Sequence, residues 1–349
     1  MFQKQDIMRR VIYSMIHVFL FATFLYGWRV LVTTAVVFAF GIATEYVFER
    51  SRKKKVSEAV LVTCSLYALS LPPVTPLWIS IIGIVFAVAM AKEVYGGFGR
   101  NIFNPAITGR LFIYLTFPTV LTTAWMVPAM VDVSNAFATS GIFGTSGMVN
   151  VDAMTAATPL AVMRSGEMPN LWNLFLGFRS GSIGESSIIL ILGAAAYLLY
   201  TKTANWKLML STFVSALLFT VIFYFADLIP GVSPAGYSGI RHLVPIAAYM
   251  MSGSIMYVAV WMSTDPISGP NNPGAQCVYG FIIGGVSMTV RTFSGFPEGT
   301  SFGIMMGNVF SALLDEIFPK KKKKKKSAPK ASSKPSTSSA GKKAQEVSA

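Results

Sequence analysis

The chain has 349 residues, of which 53% are hydrophobic and only 13% are charged. Because a soluble domain carries about a quarter charged residues, this composition excludes a soluble globular protein and indicates an all-α polytopic membrane protein. The formal net charge of +14 is concentrated in residues 319–349, which hold 11 of the 29 basic residues and one acid. We expect this lysine-rich tail to be disordered and to contact anionic lipid rather than nucleic acid.

Ten apolar segments follow one another along the chain, and each is long enough to be a candidate for crossing a bilayer as a helix. They are residues 11–27, 30–48, 57–72, 77–92, 106–125, 186–201, 207–228, 243–262, 275–292 and 299–318. The two cysteines, Cys64 and Cys277, lie in or beside these segments without metal-ligand spacing, which indicates packing roles.

Basic residues predict how these spans are oriented, because cytoplasmic loops collect Lys and Arg. With both termini in the cytoplasm, the same side receives most of the basic residues that flank spans: Lys4, Arg9, Arg10, Arg50, Arg52, Lys53, Lys54, Lys55, Lys92, Arg100, Lys202, Lys207 and the lysine tail. The prediction is a multi-pass protein of the cell (inner) membrane whose long loop, residues 126–185, lies outside the cytoplasm.

The spans divide as five plus five around this loop, which predicts two inverted five-helix repeats, 1–125 and 186–318, followed by the tail 319–349. Pro- and Gly-rich segments support the repeat weakly. Residues 71–76 and 95–99 in the first half correspond to 265–270 and 293–297 in the second. The same symmetry would suit a small-solute channel or transporter that carries no flavin.

The loop before the second half contains a short run of small and hydroxyl residues that ends at Thr158-Pro159. Asp152, Thr155 and Ala157 belong to this run, and its slim side chains would let a modifying enzyme close around the Thr158 hydroxyl. An alternative is structural, because a threonine followed by proline is typical of a helix N-cap with Pro at the first helical position.

Two glycine-rich segments are further candidates for ligand binding. Gly181, Ser182, Gly184 and Glu185 precede the sixth span, where backbone N–H groups at a helix N-terminus favour a phosphate or a flavin edge. The alternative is an ordinary Gly/Ser loop.

The second segment, residues 96–105, contains Gly96, Gly97, Asn101 and Asn104. Its glycines permit close backbone approach and its asparagines supply donors and acceptors. The alternative is a tight re-entrant turn. Glu45, Glu58, Asp227 and Asp265 lie near span ends, where an acid is a functional candidate only if it is deep.

Several of these motifs together resemble the NqrB/RnfD family, in the same order along the chain. They are residues 92–106, 152–160, 175–177 with 181–185, 264–266 and 296–299. Because the first span begins almost at once, without a long polar extension, the chain looks most like RnfD, a membrane component of the Rnf ferredoxin:NAD oxidoreductase complex.

The resemblance implies a membrane electron-transfer subunit of a redox-driven translocase. It implies FMN joined covalently through a phosphoester to Thr158, installed by an extracytoplasmic flavin transferase, and a second flavin, riboflavin, held non-covalently in the bundle. It also implies other Rnf subunits as partners and coupling to Na⁺ or H⁺ transport. Thr155-Ala156 replaces the Ser-Gly that is usual in the family's attachment motif. An NqrB-like component of a quinone reductase complex is the related alternative.

Overall fold

The structure is a computed structural model that describes residues 2–126, 157–294 and 299–318. Its fourteen described α-helices are α1 Asp6–Tyr26, α2 Arg29–Ser51, α3 Ala59–Ser70, α4 Leu77–Val88, α5 Pro105–Thr116, α6 Pro118–Thr123, α7 Pro159–Arg164, α8 Leu171–Leu176, α9 Ile188–Tyr200, α10 Trp206–Phe225, α11 Leu243–Met251, α12 Ile255–Tyr257, α13 Pro273–Phe293 and α14 Gly299–Ile317.

Two helices change pitch at their ends, and short elements fill several connections. α4 continues as the π-helical segment Ala89–Glu93, and α12 continues as Val258–Met262. Short 3₁₀ turns occur at Ile183–Glu185, Pro234–Gly236 and Gly239–His242. The one departure from an all-helical fold among the described residues is a two-residue parallel pair, β1 Phe2–Gln3 and β2 Val56–Ser57.

The mostly helical, apolar architecture confirms a multi-pass membrane protein. The helices coincide in position with the predicted spans, but they differ in length. Within the described residues α1, α2 and α10 are long and apolar enough to cross a membrane alone, and a bent pair formed by Gly239–Met251 and Ile255–Met262 would be a fourth. The count of ten spans and the inverted repeat therefore stay predictions.

Local sequence explains where several helices begin and break. Asn104 caps α5 through its side-chain oxygen, which accepts hydrogen bonds from the backbone of Ala106 and Ile107, and Pro105 occupies the first helical position. The bent pair breaks between Met251 and Ile255 by 68°. Gly253 has φ +74 there, and a Cβ at this position would lie 2.5 Å from the Arg291 side chain, so the break requires glycine.

Small residues bring the long helices of the second half together. A Cβ on Gly284 of α13 would lie 2.6 Å from backbone atoms of Ala216 and Thr212 in α10. Gly303 of α14 approaches the carbonyl oxygen of Ile283 in α13 just as closely. In membranes such close approach of small residues is a usual basis of helix association. In the first half, α4 packs between α2 and α5, an order that α10, α13 and α14 repeat.

α1 joins two ends of the bundle that carry different sites. Its 21 residues extend for about 30 Å. We call the end at which α1 begins the amino-terminal end, and the end containing Tyr26 and Thr158 the Thr158 end. Tyr26 connects α1 to that second end, because its hydroxyl donates to the carbonyl oxygen of Arg179 over 3.0 Å.

Candidate functional site: two clefts at opposite ends of the bundle

Thr158 lies at the rim of a cleft at the Thr158 end, which has an empty volume of about 390 Å³. It is partly exposed and begins α7 as its N-cap, where its hydroxyl oxygen accepts from the Ala161 N–H over 3.3 Å. The predicted capping role is therefore present. Accepting that bond uses an oxygen lone pair and leaves the hydroxyl hydrogen outside the cap, so capping and esterification are not mutually exclusive.

The opposite wall of this cleft comes from the loop that precedes α9. Gly181 and Glu185 line it together with Thr158, so the structure brings two separately predicted segments to one site. A Cβ on Gly181 would meet no atom within 4 Å. The loop therefore leaves open space at the point where a bulky group attached to Thr158 would need it.

Arg179 fixes the shape of this loop. Its buried guanidinium donates to the carbonyl oxygens of Glu185, Ser186 and Met251. These bonds fasten the loop to the break between α11 and α12 and satisfy backbone acceptors that lack water in a membrane interior. The cleft wall is consequently built from backbone that is tied at both ends.

A buried ion pair links this loop to the first half of the chain. Arg110 of α5 lies 3.4 Å from the carboxylate of Glu185 and donates to the Ser182 hydroxyl over 3.1 Å. Both charged side chains are at most 6% exposed. Because an uncompensated buried charge is costly, this pair holds the 3₁₀ turn Ile183–Glu185 in position against α5.

A second cleft opens at the amino-terminal end, with an empty volume of about 700 Å³. Most of its wall is apolar, and a few polar side chains converge on it. Its polar and aromatic lining residues include Thr63, Lys92, Phe98, Asn101, Asn104, Trp261, Thr264 and Asp265.

Asp265 is the central acid of this second cleft. Its carboxylate accepts from the Ser268 hydroxyl over 2.7 Å, from the Ile267 N–H over 3.1 Å and from the Asn104 amide over 3.3 Å. Burial raises the pKa of the Asp265 carboxyl above its usual value, and these hydrogen bonds to the carboxylate oppose the rise. The interaction with Asn104 joins the beginning of α5 to the loop after α12.

An aromatic pair lies between the two clefts. Trp261 lines the cleft at the amino-terminal end, and its ring centroid is 5.1 Å from that of Tyr257. The Tyr257 ring in turn packs on Gly184, where a Cβ would lie 3.1 Å from the ring edge. Both rings are buried. A chain of contacts therefore runs from one cleft to the loop that walls the other.

Comparison with known proteins agrees with the resemblance seen in the motifs. The model of the NQR2, RnfD, RnfE family matches residues 2–324. The chain belongs to this family.

The similar proteins are named as components of two kinds of membrane complex. The B-type component of the Na⁺-translocating NADH-quinone reductase of Chromohalobacter salexigens is 34% identical over 81% of this chain, but the match covers only 64% of that protein. The D-type component of the Na⁺-translocating ferredoxin:NAD⁺ oxidoreductase complex of Acetobacterium woodii is 30% identical over 89% of this chain and 87% of its own length. The D-type component of an ion-translocating oxidoreductase complex of Shewanella amazonensis is 28% identical, with 90% and 92% covered. The predicted RnfD-like membership in the NQR2, RnfD, RnfE family is thus confirmed.

The predicted site residues of this family member fall into distinct places. Ala157 is exposed beside Thr158, whereas Asp152 and Thr155 lie outside the described residues. Ser182 faces Arg110, and Gly184 packs on Tyr257.

The segment 96–105 is divided between two environments. Asn101 and Asn104 line the amino-terminal cleft. Gly96 and Gly97, both with positive φ, are not among its lining residues. They lie instead against Arg100 and Glu49. The positive φ at both positions explains why glycine is used.

The sequence does not indicate the burial of several charged residues inside this family member. The charge pattern places Lys92 in a cytoplasmic loop, but Lys92 is 2% exposed and pairs with Glu45. Glu45, an acid near a span end whose depth the sequence leaves open, is fully buried. Arg110 lies within a predicted span, and the motifs do not single it out. A lone arginine in an apolar segment is the signal that could have identified it.

Proposed function

We propose that this protein is the RnfD-like membrane subunit of an ion-translocating ferredoxin:NAD oxidoreductase complex, and that it relays electrons by means of two flavins. FMN bound covalently to Thr158 and riboflavin bound in the cleft at the amino-terminal end supply the redox chemistry when present. The observation that carries the proposal is the meeting of the Thr158 hydroxyl and the open Gly181 loop at one cleft, in a chain of this family.

Three features of the Thr158 end support an attached flavin. The hydroxyl is partly exposed at the cleft rim, the slim Ala157 precedes it, and open space lies at Gly181. Thr158 would hold the phosphoester and the tied loop would limit the positions open to the ring. The protein thus contributes attachment and orientation.

The amino-terminal cleft fits a second flavin without a covalent bond. An isoalloxazine ring needs apolar walls together with a few donors and acceptors at its polar edge. Asn101, Asn104 and Asp265 supply such groups, and Trp261 supplies an aromatic surface. Because Asn104 and Asp265 bind each other, these two groups are pre-oriented before a ligand enters.

The proposal includes partners and an orientation. The other subunits of an Rnf complex, an extracytoplasmic flavin transferase, and Na⁺ or H⁺ as the transported ion are its partners. In the inner membrane, the Thr158 end would lie on the side away from the cytoplasm, and both termini would lie in the cytoplasm.

An NqrB-like role in a quinone reductase complex is the second candidate, and the 34% identity to a component of such a reductase supports it. Reduction of NAD⁺ by reduced ferredoxin, or of quinone by NADH, catalysed by the purified complex distinguishes the two.

The attachment of FMN is tested by expressing the full chain together with a flavin transferase. The wild-type chain should fluoresce on a denaturing gel, and mass spectrometry of the peptide spanning Thr158 should show the added FMN. Thr158→Ala should lose all covalent fluorescence while still inserting into the membrane. Ser165→Ala, which changes an exposed hydroxyl at the same end but outside this motif, is the matched control and should retain it. Covalent flavin persisting in Thr158→Ala contradicts the assignment.

A further inference from the structure

A cluster of buried charged residues at the amino-terminal end is not explained by the flavin sites. It consists of Glu45, Glu49, Arg52, Lys92 and Glu93, and we call it the carboxylate cluster. One half of the cluster is balanced. Lys92 pairs with Glu45, and the Ser57 hydroxyl accepts from Lys92 over 2.8 Å while donating to Glu45 over 2.6 Å.

The other half of the carboxylate cluster is not balanced. One guanidinium nitrogen of Arg52 lies 2.6 Å from a Glu93 oxygen and 3.4 Å from a Glu49 oxygen. The second oxygen of each carboxylate is buried and has no hydrogen-bond partner. Glu93 is 0% exposed and Glu49 is 5% exposed. Two buried carboxylates therefore share the Arg52 guanidinium, with the Lys92 charge also acting on Glu93, and each presents an unsatisfied acceptor.

Elementary electrostatics favours the addition of one positive charge. The carboxylate cluster contains three acids and two bases, and two carboxylates beside one guanidinium repel each other when both are ionised. A buried acceptor without a donor adds a further cost. A proton on one carboxyl removes the excess charge and the repulsion between the two carboxylates. We propose that Glu49 and Glu93 together bind one exchangeable proton.

The proposal is for a proton, and a cation held between the two carboxylates is an outcome of the test below. The described residues contain no group of three or more His, Cys, Asp or Glu side chains that could hold a metal. The surrounding elements add few charges. Gly97 packs its backbone on Glu49, and Arg100 lies over Gly96. On α3, Cys64 is the titratable group that interacts electrostatically with Lys92 and Glu45.

The pair formed by Glu49 and Glu93 lies close both to solvent and to the amino-terminal cleft. The side chain of Arg52, which binds both carboxylates, is 29% exposed, so the pair lies close to solvent at the amino-terminal end. Lys92 precedes Glu93 in the chain and lines the cleft at that end. The proton is therefore held beside a cleft wall and exchanges with the compartment at this end. The assignment does not depend on whether a flavin occupies the cleft.

Infrared difference spectroscopy of the full-length protein in lipid nanodiscs tests this site. A pH jump should produce the C=O band of a protonated carboxyl that shifts in D₂O and accounts for one proton. Glu93→Gln and Glu49→Gln should each abolish this band. Glu167→Gln, which changes an exposed acid at the Thr158 end, is the matched control and should leave the band intact.

Three results would overturn the proposal. They are the absence of a titrating carboxyl band in the wild type, its persistence in both glutamine variants, and its loss on adding Na⁺ at constant pH, which would place a cation between the carboxylates. Thermal unfolding and gel filtration identify any variant that fails to fold. If Glu93→Gln fails to fold, Glu49→Gln decides the outcome. Glu49→Asp keeps a carboxyl and should restore a shifted band.

Discussion

Lys92 and Glu45 show how a single buried charge depends on its partner. Removing one member of a buried pair leaves the other uncompensated, which typically costs about 3–5 kcal/mol. We expect Lys92→Met to lower the free energy of unfolding by about 3 kcal/mol. The double variant Glu45→Gln/Lys92→Met should lose less than the sum of the two single variants. Denaturant unfolding in detergent measures this coupling, and strictly additive losses would contradict it.

Asn104 offers a residue-scale test of the amino-terminal cleft. Asn104→Asp keeps the oxygen that caps α5 but replaces the amide donor to Asp265 with a second carboxylate. We expect the amount of extractable riboflavin per protein to fall several-fold, since a group that orients the ligand is replaced by a repulsive pair. Covalent FMN at Thr158 should be unchanged.

Asn170→Asp is the matched control for the Asn104 variant. Asn170 caps α8 through the same kind of oxygen contact, to the Trp172 N–H, but is exposed and does not line the amino-terminal cleft. Flavin extraction followed by chromatography should give the wild-type amount. An equal fall in both variants would mean that cap chemistry, rather than the cleft, governs riboflavin content.

Sequence alone could have placed two members of the carboxylate cluster on one surface. Glu45 and Glu49 are four residues apart on α2, so they share a helix face. Their burial could not be predicted this way, because it depends on Lys92 and Glu93, which arrive from the end of α4 after some forty intervening residues. Charges near span ends are usually interfacial, and only tertiary packing distinguishes the exceptions.

At the scale of elements, the association of α10 and α13 depends on glycine. A Cβ on Gly284 would lie 2.6 Å from two backbone atoms of α10, which cannot move as a side chain can. We expect Gly284→Ala to separate the helices and to destabilise the protein by about 1–3 kcal/mol. Gly193→Ala in α9 is the control, since its Cβ meets nothing within 4 Å. Thermal unfolding should show the Gly193 variant at or slightly above wild-type stability.

Helix positions are predictable from apolar runs, but their internal breaks are only partly so. The apolar run 243–262 predicts one span, whereas the structure bends between Met251 and Ile255 by 68°. The sequence Ser252-Gly253-Ser254 carries a local signal for that break. A residue distant in the sequence also contributes to the bend. The Arg291 side chain occupies the space beside Gly253 and donates to the carbonyl oxygen of Tyr249 over 3.1 Å.

At the scale of the whole molecule, the two clefts are associated with opposite ends of α1: Ile7 and Met8 line one cleft, and Tyr26 bonds to Arg179, which lines the other. α1 has 21 residues and extends for about 30 Å. This length is similar to the hydrocarbon thickness of a bilayer. A redox site at each end would therefore place one near each membrane surface. The buried pair Tyr257 and Trp261 occupies part of the space between them. The contact between these two rings could not be predicted from the sequence. The glycine-rich segments 181–185 and 96–105, in contrast, did indicate residues that line the two clefts.

The orientation of the molecule can be tested with cysteines placed at its two ends. Ser165 at the Thr158 end and Lys53 at the amino-terminal end are both exposed. Cys277 is exposed and is first replaced by serine, whereas Cys64 is buried and can remain. Since basic loops stay in the cytoplasm, we expect a membrane-impermeant maleimide to label Ser165→Cys in intact spheroplasts. Lys53→Cys should react only after the membrane is permeabilised. The reverse pattern would place Thr158 in the cytoplasm, where an extracytoplasmic transferase could not reach it.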